Sequence, residues 1–570
     1  MKNKILPARL LTAAIQLSSP LRRSGVVICL GLALGWLGAM PCARATCEQG
    51  CNTTYNNTFL GNDALLNNTT GLYNTATGGY ALANNNVGSD NTASGFDALY
   101  KNTTGGYNTA SGAFALEFNT TGSDNTASGY LALHENTTGS DNTANGGYAL
   151  ELNTTGYQNT ANGVGALSDN TTGFDNTASG FEALELNTTG ANNTASGAYA
   201  LLSNTTGANN AANGYGALAY NTTGNDNTAS GYQALFSNTT GNFNTATGLN
   251  SLGLNTTGGF NVATGVDALY SNTTGANNVA SGFNALYFNS TGNVNAATGE
   301  SALYNNTTGS NNTATGDHAL FSNTTANTNT ATGASALLSN TTGPGNTADG
   351  YAALQNNTTG GSNIALGQSA GVNLTTGSNN IDIGNAGAAG ESNTIRIGTA
   401  GTQTITFVAG VRGVLVASAQ SVGISPSGQL GVRASSARFK EAIKPMDKAS
   451  EAILDLKPVT FRYKKELDPK GAPQFGLVAE EVAKVNPDLV MMDDEGKPFT
   501  VRYDEVNAML LNEFLKQHRT VQEQGASITE LQKGMEVLTA RLKEQEAELQ
   551  KVSARIELRK PAPQTVLNNH

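Results

Sequence analysis

The long central part of this chain has almost no basic residues. Between Cys51 and Thr394, Lys101 is the one lysine or arginine, although the whole chain carries 31 such residues. Proteins that bind nucleic acids use lysine and arginine to neutralise the phosphates. This scarcity of cations argues against a nucleic acid as a partner.

The first 45 residues have the pattern of a secretory signal peptide. Basic residues precede an apolar run from Gly25 to Met40, and the sequence ARA at 43–45 offers a small-x-small cleavage site. The run is short for a membrane span, and no second hydrophobic segment follows it. We predict cleavage after Ala45, export to the medium or the cell surface, and no membrane span afterwards. An uncleaved anchor is the alternative.

Cysteine is also scarce. Cleavage after residue 45 leaves Cys47 and Cys51 out of four cysteines, within an N-terminal cap at 46–70. Because exported proteins reach an oxidising compartment, a local disulfide is the expected state of this pair. A metal site would need further ligands, and the neighbouring sequence has none. We therefore predict no metal and no cofactor.

A 17-residue repeat, GxxNTAxGxxALxxNTT, fills residues 71–379. Its first glycine recurs at one phase from Gly71 to Gly377, with a lapse at Ala326 and no insertion or deletion. Each repeat has too few apolar residues to bury a core alone, so its apolar positions must stack on those of its neighbours. The repeat predicts a mainly β protein whose shaft is a long β-solenoid of the β-roll type.

The repeat also predicts what each position does. In the unit that begins at Gly88, the expected core is Ala93, Ala98 and Leu99, and Gly88 and Gly95 suit corners with positive φ. The NTT and NT segments suit short strands whose asparagines stack as amide ladders. Many NTT triplets match the N-glycosylation sequon. We interpret them as repeat consensus, with a glycan-decorated surface as the alternative.

Ionisable residues on the shaft are scattered singly, among them His134, Asp141, Glu182, Glu185 and His318. A hydrolase that cleaves polysaccharides needs two carboxylates at a defined separation, and nothing singles out such a pair. The shaft is therefore predicted to be structural or to bind a partner, such as a cell-surface or glycan receptor.

The shaft repeat resembles the left-handed parallel β-roll heads of trimeric autotransporter adhesins, which also mix Asn, Ala, Ser and Gly but repeat at a shorter interval. It is more similar to the NTAxGxxAL repeats found beside tail-fibre-type chaperone domains. The chain ends TVLNNH, without amphipathic strands or a terminal aromatic residue. We therefore expect no outer-membrane anchor of the adhesin type.

Residues 380–434 depart from the repeat and predict a β-rich neck. NIDIG and NTIRIG each predict a strand that ends on glycine, TQTITFVAGVRGVLVASA alternates as strands do, and SVGISPSGQLGV predicts two strands around a turn. Charge then returns, because residues 435–570 carry 43 of the chain's 73 charged side chains.

Residues 435–506 predict a small α/β module. MDKASEAILDL and FGLVAEEVAKV have helical spacing, PVTFRYK alternates as a strand does, and DLVMMDDEGKPFTVRY predicts a hairpin. The acidic pair Glu480 and Glu481 is expected on a helix face rather than in a catalytic group. Helix is predicted from about Asn507 to residue 558, followed by a disordered tail at 559–570.

Four segments in register carry a resemblance to a known family: SSARFKEAIKPM, ILDLKPVTFRYK, FGLVAEEVAKVNPDLV and GKPFTVRYDEVNAMLLNEFLK. Through them, residues 435–522 resemble the intramolecular chaperone of endosialidase-type tail spikes, a self-cleaving peptidase also found in the myelin regulatory factor. The resemblance implies that the module trimerises, helps the upstream shaft to fold, and then cuts itself off.

In that family the cut precedes the serine of an S-D-x-R-x-K motif. Carried over to the stretch ASSARFK, the resemblance implies Ser435 as the nucleophile, Lys440 as its base, and Ala434–Ser435 as the scissile bond. Ser436 stands where the family has aspartate. The alternative for an isolated serine and lysine at this spacing is a solvated linker.

The chemistry of this pair is consistent with that role. A serine hydroxyl needs a neighbouring base, which a lysine supplies once burial or nearby cations depress its pKa. A histidine base is disfavoured, since His518 and His570 are the only histidines after residue 435.

The C-terminal helix has a heptad pattern with two glutamine exceptions. Its positions a and d are Val521, Ile528, Leu531, Met535, Leu538, Leu542, Leu549, Val552 and Ile556. Five heptads in unbroken phase predict a coiled coil at 507–558. The expected number of three strands comes from the family resemblance.

The sequence thus predicts an exported, homotrimeric, fibre-like surface protein and an autoproteolytic serine endopeptidase that acts once, on itself. One alternative is a structural or adhesive fibre whose inactive chaperone is retained as a trimerisation cap. Another is a phage-type tail fibre or spike that binds surface glycans.

Overall fold

The computed structural model describes residues 49–52, 54–408, 422–425, 428–432, 434–493 and 495–559. The predicted signal peptide, Cys47 and residues 560–570 of the predicted tail lie outside the described residues, as does the side chain of Cys51. The predicted disulfide and signal peptide therefore stay predictions. The chain divides into two units, Met1–Val408 and Ala409–His570.

The first unit is a β-solenoid with one sheet of 22 strands. β1 (Gln49–Asn52) pairs antiparallel with β2 (Asn57–Leu60), and each later strand pairs in parallel with that of the next coil. From β2 to β21 paired residues lie 17 positions apart, as in Thr92↔Thr109, whereas β21 and β22 pair at a spacing of 14. The predicted solenoid and its period are confirmed. The remaining strands are β3 (Thr75–Thr77), β4 (Thr92–Ser94), β5 (Thr109–Ser111), β6 (Thr126–Ser128), β7 (Thr143–Asn145), β8 (Thr160–Asn162), β9 (Thr177–Ser179), β10 (Thr194–Ser196), β11 (Ala211–Asn213), β12 (Thr228–Ser230), β13 (Thr245–Thr247), β14 (Val262–Thr264), β15 (Val279–Ser281), β16 (Ala296–Thr298), β17 (Thr313–Thr315), β18 (Thr330–Thr332), β19 (Thr347–Asp349), β20 (Ile364–Leu366), β21 (Ile381–Ile383) and β22 (Ile395–Ile397).

The core of the solenoid is a continuous stack of alanine and leucine. In β4 the outer residues are exposed and the central Ala93 is buried, and Ala98 and Leu99 of the same coil are also fully buried. These are the predicted core positions. Each coil contributes only a few apolar side chains, and these are buried by the two neighbouring coils.

The core leucine of each coil lies in a left-handed backbone conformation. Leu99 has φ 53°, and the same corner recurs at Leu116 with φ 52° and at Leu133 with φ 53°. Such a conformation costs a residue other than glycine about 1–3 kcal/mol. Because these side chains are fully buried, their core contacts offset that cost.

Two ladders of asparagine amides run along the solenoid, as predicted. In the first, Asn108 Nδ2 donates to Asn91 Oδ1 at 3.1 Å, and in the second, Asn119 Nδ2 donates to Asn102 Oδ1 at 2.8 Å. Asn108 Nδ2 and Asn119 Nδ2 also both donate to the Gly122 carbonyl oxygen, each at 2.9 Å. One glycine carbonyl oxygen per coil thus accepts a hydrogen bond from each ladder, which helps to satisfy the buried amides of both.

The two glycines of the repeat are needed for different reasons. Gly95 has φ +148°, as predicted for a corner. The prediction of positive φ at Gly88 is wrong. A Cβ there would instead lie 2.3 Å from the Gly105 carbonyl oxygen and 2.6 Å from Asn85 Oδ1. The first glycine of the repeat is therefore fixed by the close approach of the next coil.

The NTT segment forms a bend, so the predicted strand there is wrong. The backbone N–H groups of Thr103 and Thr104 both donate to the Thr120 carbonyl oxygen, at 2.9 and 3.1 Å. Amides that converge on one acceptor cannot follow the alternating directions of a strand. The asparagine of each NTT or NST triplet from Asn102 to Asn340 is fully buried, which leaves no room for a glycan on the folded coil.

The second unit contains three antiparallel strand pairs and a long helix among its described residues. The pairs are β23 (Val422–Ile424) with β24 (Leu430–Val432), β25 (Val459–Phe461) with β26 (Gln474–Gly476), and β27 (Val490–Met492) with β28 (Pro498–Val501). The helices are the 3₁₀ segments Ala437–Phe439, Asp447–Asp455 and Pro487–Leu489, and α1 (Ala479–Val485) and α2 (Tyr503–Glu557).

Most elements predicted after residue 380 are confirmed, with four differences. The helix predicted for FGLVAEEVAKV begins only at Ala479, because Phe475 and Gly476 belong to β26. The helix at Asp447–Asp455 is 3₁₀ rather than α, and the long helix begins at Tyr503 rather than Asn507. The strand expected at 402–408 is absent, since the solenoid sheet ends at β22 and offers that exposed segment no pairing. Within the described ranges no helix has the length and apolar character of a membrane span.

Candidate functional site

The stretch Ala434–Lys440 forms a single turn of 3₁₀ helix. The turn spans Ala437–Phe439 and is closed by bonds from Phe439 N to Ser436 O at 3.0 Å and from Lys440 N to Ala437 O at 3.1 Å. Lys440 itself has extended backbone, with φ −125° and ψ 140°. Along the chain, Ser435 therefore precedes this turn and Lys440 follows it directly.

Every residue from Ala434 to Lys440 is exposed to solvent. Arg438 lies over the Phe439 ring, with its guanidinium carbon 4.6 Å from the ring centroid. Among the hydrogen bonds and ion pairs of the described residues, none joins Ser435 to Lys440. The single chain thus presents the predicted nucleophile and base without assembling them into a closed site.

Other ionisable groups of the second unit lie elsewhere. His518 is on α2, where its Nε2 lies 3.1 Å from Gln522 Nε2. Glu480 and Glu481 are exposed in the first turn of α1, as predicted, and Glu481 forms an ion pair with Lys484 at 2.7 Å. No cluster of three or more His, Cys, Asp or Glu residues that could hold a metal occurs in the described ranges.

The 3₁₀ helix Asp447–Asp455 is tied to α2 by a polar cluster around the buried Ser450. Asn512 Nδ2 donates to Ser450 Oγ at 2.7 Å, Ser450 Oγ donates to Glu513, and Lys516 Nζ donates to Glu513 Oε1 at 2.6 Å. The hydrogen bonds from Lys516 and Ser450 lower the pKa of Glu513. This cluster fixes the segment that follows the candidate site onto the long helix.

An apolar groove of about 510 Å³ lies beside this cluster. Its walls include Leu456, Val459, Phe475, Val506 and Leu510. At its edge Leu477 N donates to the Tyr503 hydroxyl at 3.0 Å. The sequence pattern does not reveal this groove, because its residues come from three separate segments, 453–460, 475–477 and 503–510, and alternate with polar neighbours.

Three ionisable residues, Asp382, Glu391 and Arg396, lie together at the C-terminal end of the solenoid. Asp382 is fully buried, and neither of its carboxylate oxygens has a hydrogen-bond partner among the described residues. Burial raises its pKa to about 6, with a contribution from Glu391 that Arg396 opposes. Arg396 holds Glu391 through Nε and Nη2, at 2.7 to 3.0 Å, and this hydrogen bonding lowers the pKa of Glu391.

Comparison with known proteins assigns the module that contains the candidate site. Residues 435–491 match the family described as "Chaperone of endosialidase", and the match begins at Ser435. The resemblance found in the sequence is thereby confirmed for this segment, downstream of a long β-solenoid. No curated protein matches the chain.

Proposed function

We propose that this chain is an exported, fibre-like protein that assembles as a trimer through its C-terminal module and then cleaves itself between Ala434 and Ser435. The observation that carries the proposal is where the family match begins. It starts at Ser435, the residue before which the motif ASSARFK implies the cut. The upstream β-solenoid is the kind of shaft that an intramolecular chaperone would help to fold.

The small core of the second unit supports assembly of several chains. Among the residues of the unit that the structure describes, the buried hydrophobic cluster contains only Val482, Leu489, Val490 and Val501, whereas Phe475 is 82% exposed. Monomeric soluble proteins rarely expose large contiguous apolar patches. Burial of this surface between chains would supply stability that the unit alone lacks.

The long helix supports the same conclusion. No residue of α2 is buried, and all nine apolar heptad residues from Val521 to Ile556 are exposed. A helix of 55 residues with an exposed apolar seam gains its stability by pairing with other helices. We therefore infer a coiled coil, and the family resemblance favours three strands.

The proposed cleavage uses the chain's own atoms and one water molecule. Ser435 Oγ attacks the Ala434 carbonyl carbon while Lys440 Nζ takes the hydroxyl proton. The Ala434–Ser435 amide bond breaks, and Lys440 returns the proton to the Ser435 nitrogen. The resulting ester joins the Ala434 acyl group to Ser435 Oγ. Water hydrolyses it to the Ala434 carboxylate and the free serine.

Assembly would prepare this site for reaction. An exposed lysine is protonated at neutral pH and cannot accept a proton, whereas burial disfavours its charged form. Ser435 and Lys440 are both exposed in the single chain. We infer that neighbouring chains bury them, so that cleavage follows assembly and leaves the shaft kinetically trapped.

The test is the intact mass of the purified chain expressed from Thr46, compared with the Ser435→Ala and Lys440→Ala variants. We expect the wild type to separate into 46–434 and 435–570 and both variants to stay whole. Ser436→Ala and Lys444→Ala are matched controls from the same segment, and both are expected to cleave. A trimeric wild-type chain that stays whole would leave the module as a retained trimerisation cap.

A further inference from the structure

The outer face of the solenoid sheet changes character at its C-terminal end. In β3 to β22 the first and third residues of each strand point away from the core. From β3 to β19 these two columns hold Thr, Ser, Asn, Ala or Asp, and the only large aliphatic residues are Val262 and Val279. In β20 to β22 both columns become entirely aliphatic.

We name the six residues of these last three strands the aliphatic face: Ile364, Leu366, Ile381, Ile383, Ile395 and Ile397. They lie in two straight rows, because Ile364 pairs with Ile381 and Leu366 with Ile383, and these two residues of β21 pair in turn with Ile395 and Ile397 of β22. Ile395 is 67% and Ile397 72% exposed. The single chain therefore presents a flat aliphatic patch to water.

The inner side of β21 and β22 is polar, whereas β20 still carries the buried Ala365 there. Asp382 is buried between Ile381 and Ile383 in sequence, and Arg396 occupies the matching inner position of β22. In a strand with one covered face, alternation places the aliphatic side inward and the polar side toward solvent. In β21 and β22 the polar side faces inward and the aliphatic side faces solvent. The Glu391–Arg396 ion pair stabilises this arrangement. Such a strand is stable when something else covers its aliphatic side.

We propose that the aliphatic face is covered by the same face of the other copies of this chain, so that the shafts meet at their C-terminal ends. This inference rests on the proposed trimer and names the surface through which the shafts join. A copy of the chain has the same strand spacing of about 4.8 Å, so its rows of side chains match the patch in register.

The size of the patch fits this occupant. Six half-exposed aliphatic side chains remove about 300–400 Å² of apolar surface per chain from water. Three copies together bury about 1,000 Å², close to the lower limit for a specific interface. The patch alone is thus too small to recruit partners. It is sufficient to align chains that α2 already holds at high effective concentration.

The test compares the triple variant Ile383→Thr/Ile395→Thr/Ile397→Thr with the wild type in two backgrounds of the full chain. Threonine is the commonest residue of the first column in β3–β19 and, after serine, of the third, so the substitution suits the solenoid backbone. The backgrounds are Ser435→Ala, which keeps the module attached, and Ser435→Ala with Leu538→Lys, which is designed to prevent assembly. The matched control is Val262→Thr/Val279→Thr, from the same columns.

The measurements are sedimentation mass and hydrogen exchange of the amides in β20–β22. In the trimer we expect the triple variant to exchange roughly tenfold faster in these strands. In the monomer it should have no effect, and the control should be neutral in both. An equal effect in trimer and monomer would mean that the chain's own residues cover the face, and would overturn the inference while leaving the proposed function intact. A wild-type background that sediments as a monomer would instead overturn the proposed trimer.

Discussion

Asn193 Nδ2 donates a hydrogen bond to Asn176 Oδ1 of the preceding coil at 3.1 Å, and Asn193 Oδ1 accepts one from Asn210 Nδ2 of the next coil at the same distance. Both neighbours are buried, so each link of this ladder depends on the link before it. The amide of Asn193 also bonds the Gly207 carbonyl oxygen at 2.9 Å. One side chain thus bonds to both neighbouring coils and links three successive coils.

Removal of one link should therefore be costly. Asn193→Ala leaves the buried backbone N–H of Asn210 without its acceptor, at about 1–3 kcal/mol. It also removes one of the two hydrogen bonds donated by Asn210 Nδ2 and one of the two accepted by the Gly207 carbonyl oxygen, at about 0.5–1.5 kcal/mol each. We expect a loss of several kcal/mol in the free energy of unfolding, measured by thermal or denaturant unfolding. Asn213→Ala is the control, because Asn213 is exposed on β11 and should change stability by less than about 0.5 kcal/mol.

Two leucines of one coil test the packing of the core. Leu252 is fully buried with φ 53°, whereas Leu254 is 40% exposed. Leu252→Ala should cost about 2–5 kcal/mol, because it opens a cavity and keeps the strained backbone. Leu254→Ala should cost less than about 1 kcal/mol. Equal losses in denaturant unfolding would show that the leucine stack does not hold the coils together.

Regular repetition explains how much of the shaft could be predicted. A pattern that returns every 17 residues fixes which side chains stack, so Ala93, Leu99 and the asparagine ladders could all be inferred. The positive φ of Leu99 could not be inferred, because leucine avoids this conformation in isolation and only the stacking of the coils imposes it. The bend at NTT was missed for a similar reason: threonine favours strands, and three-dimensional convergence on one carbonyl overrides that preference.

The candidate site shows a different limit. The sequence motif names Ser435 and Lys440 and gives the order of the segments that follow them. It contains no information on their spatial relation, because that depends on surfaces supplied by other chains in the proposed assembly. The reversed polarity of β21 and β22 was also visible as IDI and IRI, but only burial of Asp382 reveals which side faces inward.

The buried Asp382 predicts a pH dependence for the end of the solenoid. Its pKa is raised from 3.8 to about 6, so the folded state binds more protons than the unfolded state between these values. The stability that this group contributes is therefore lost as pH rises through about 6. We expect the last coils to unfold at higher temperature at about pH 5 than at about pH 7.5.

Asp382→Ala should remove this difference and stabilise the last coils at the higher pH, since alanine occupies the same column at Ala365. Asp349→Ala removes an equal charge from an exposed position of β19 and serves as the control. Thermal unfolding at both pH values measures the effect. A pH dependence that persists in Asp382→Ala would mean that another group causes it.

The long helix offers a test of assembly with two adjacent residues. Leu538 lies on the predicted seam and Val537 lies outside it, yet in the single chain they are almost equally exposed, at 59% and 56%. Exposure in the monomer therefore does not distinguish them, and only burial against a partner helix would.

Leu538→Lys places a charge in the seam, where it would be desolvated, and should reduce the sedimenting mass from trimer to monomer. It should also prevent cleavage at Ala434–Ser435, because the site would stay exposed. Val537→Lys should leave the trimer and the cleavage unchanged. If both variants behave as the wild type, α2 is not the element that joins the chains.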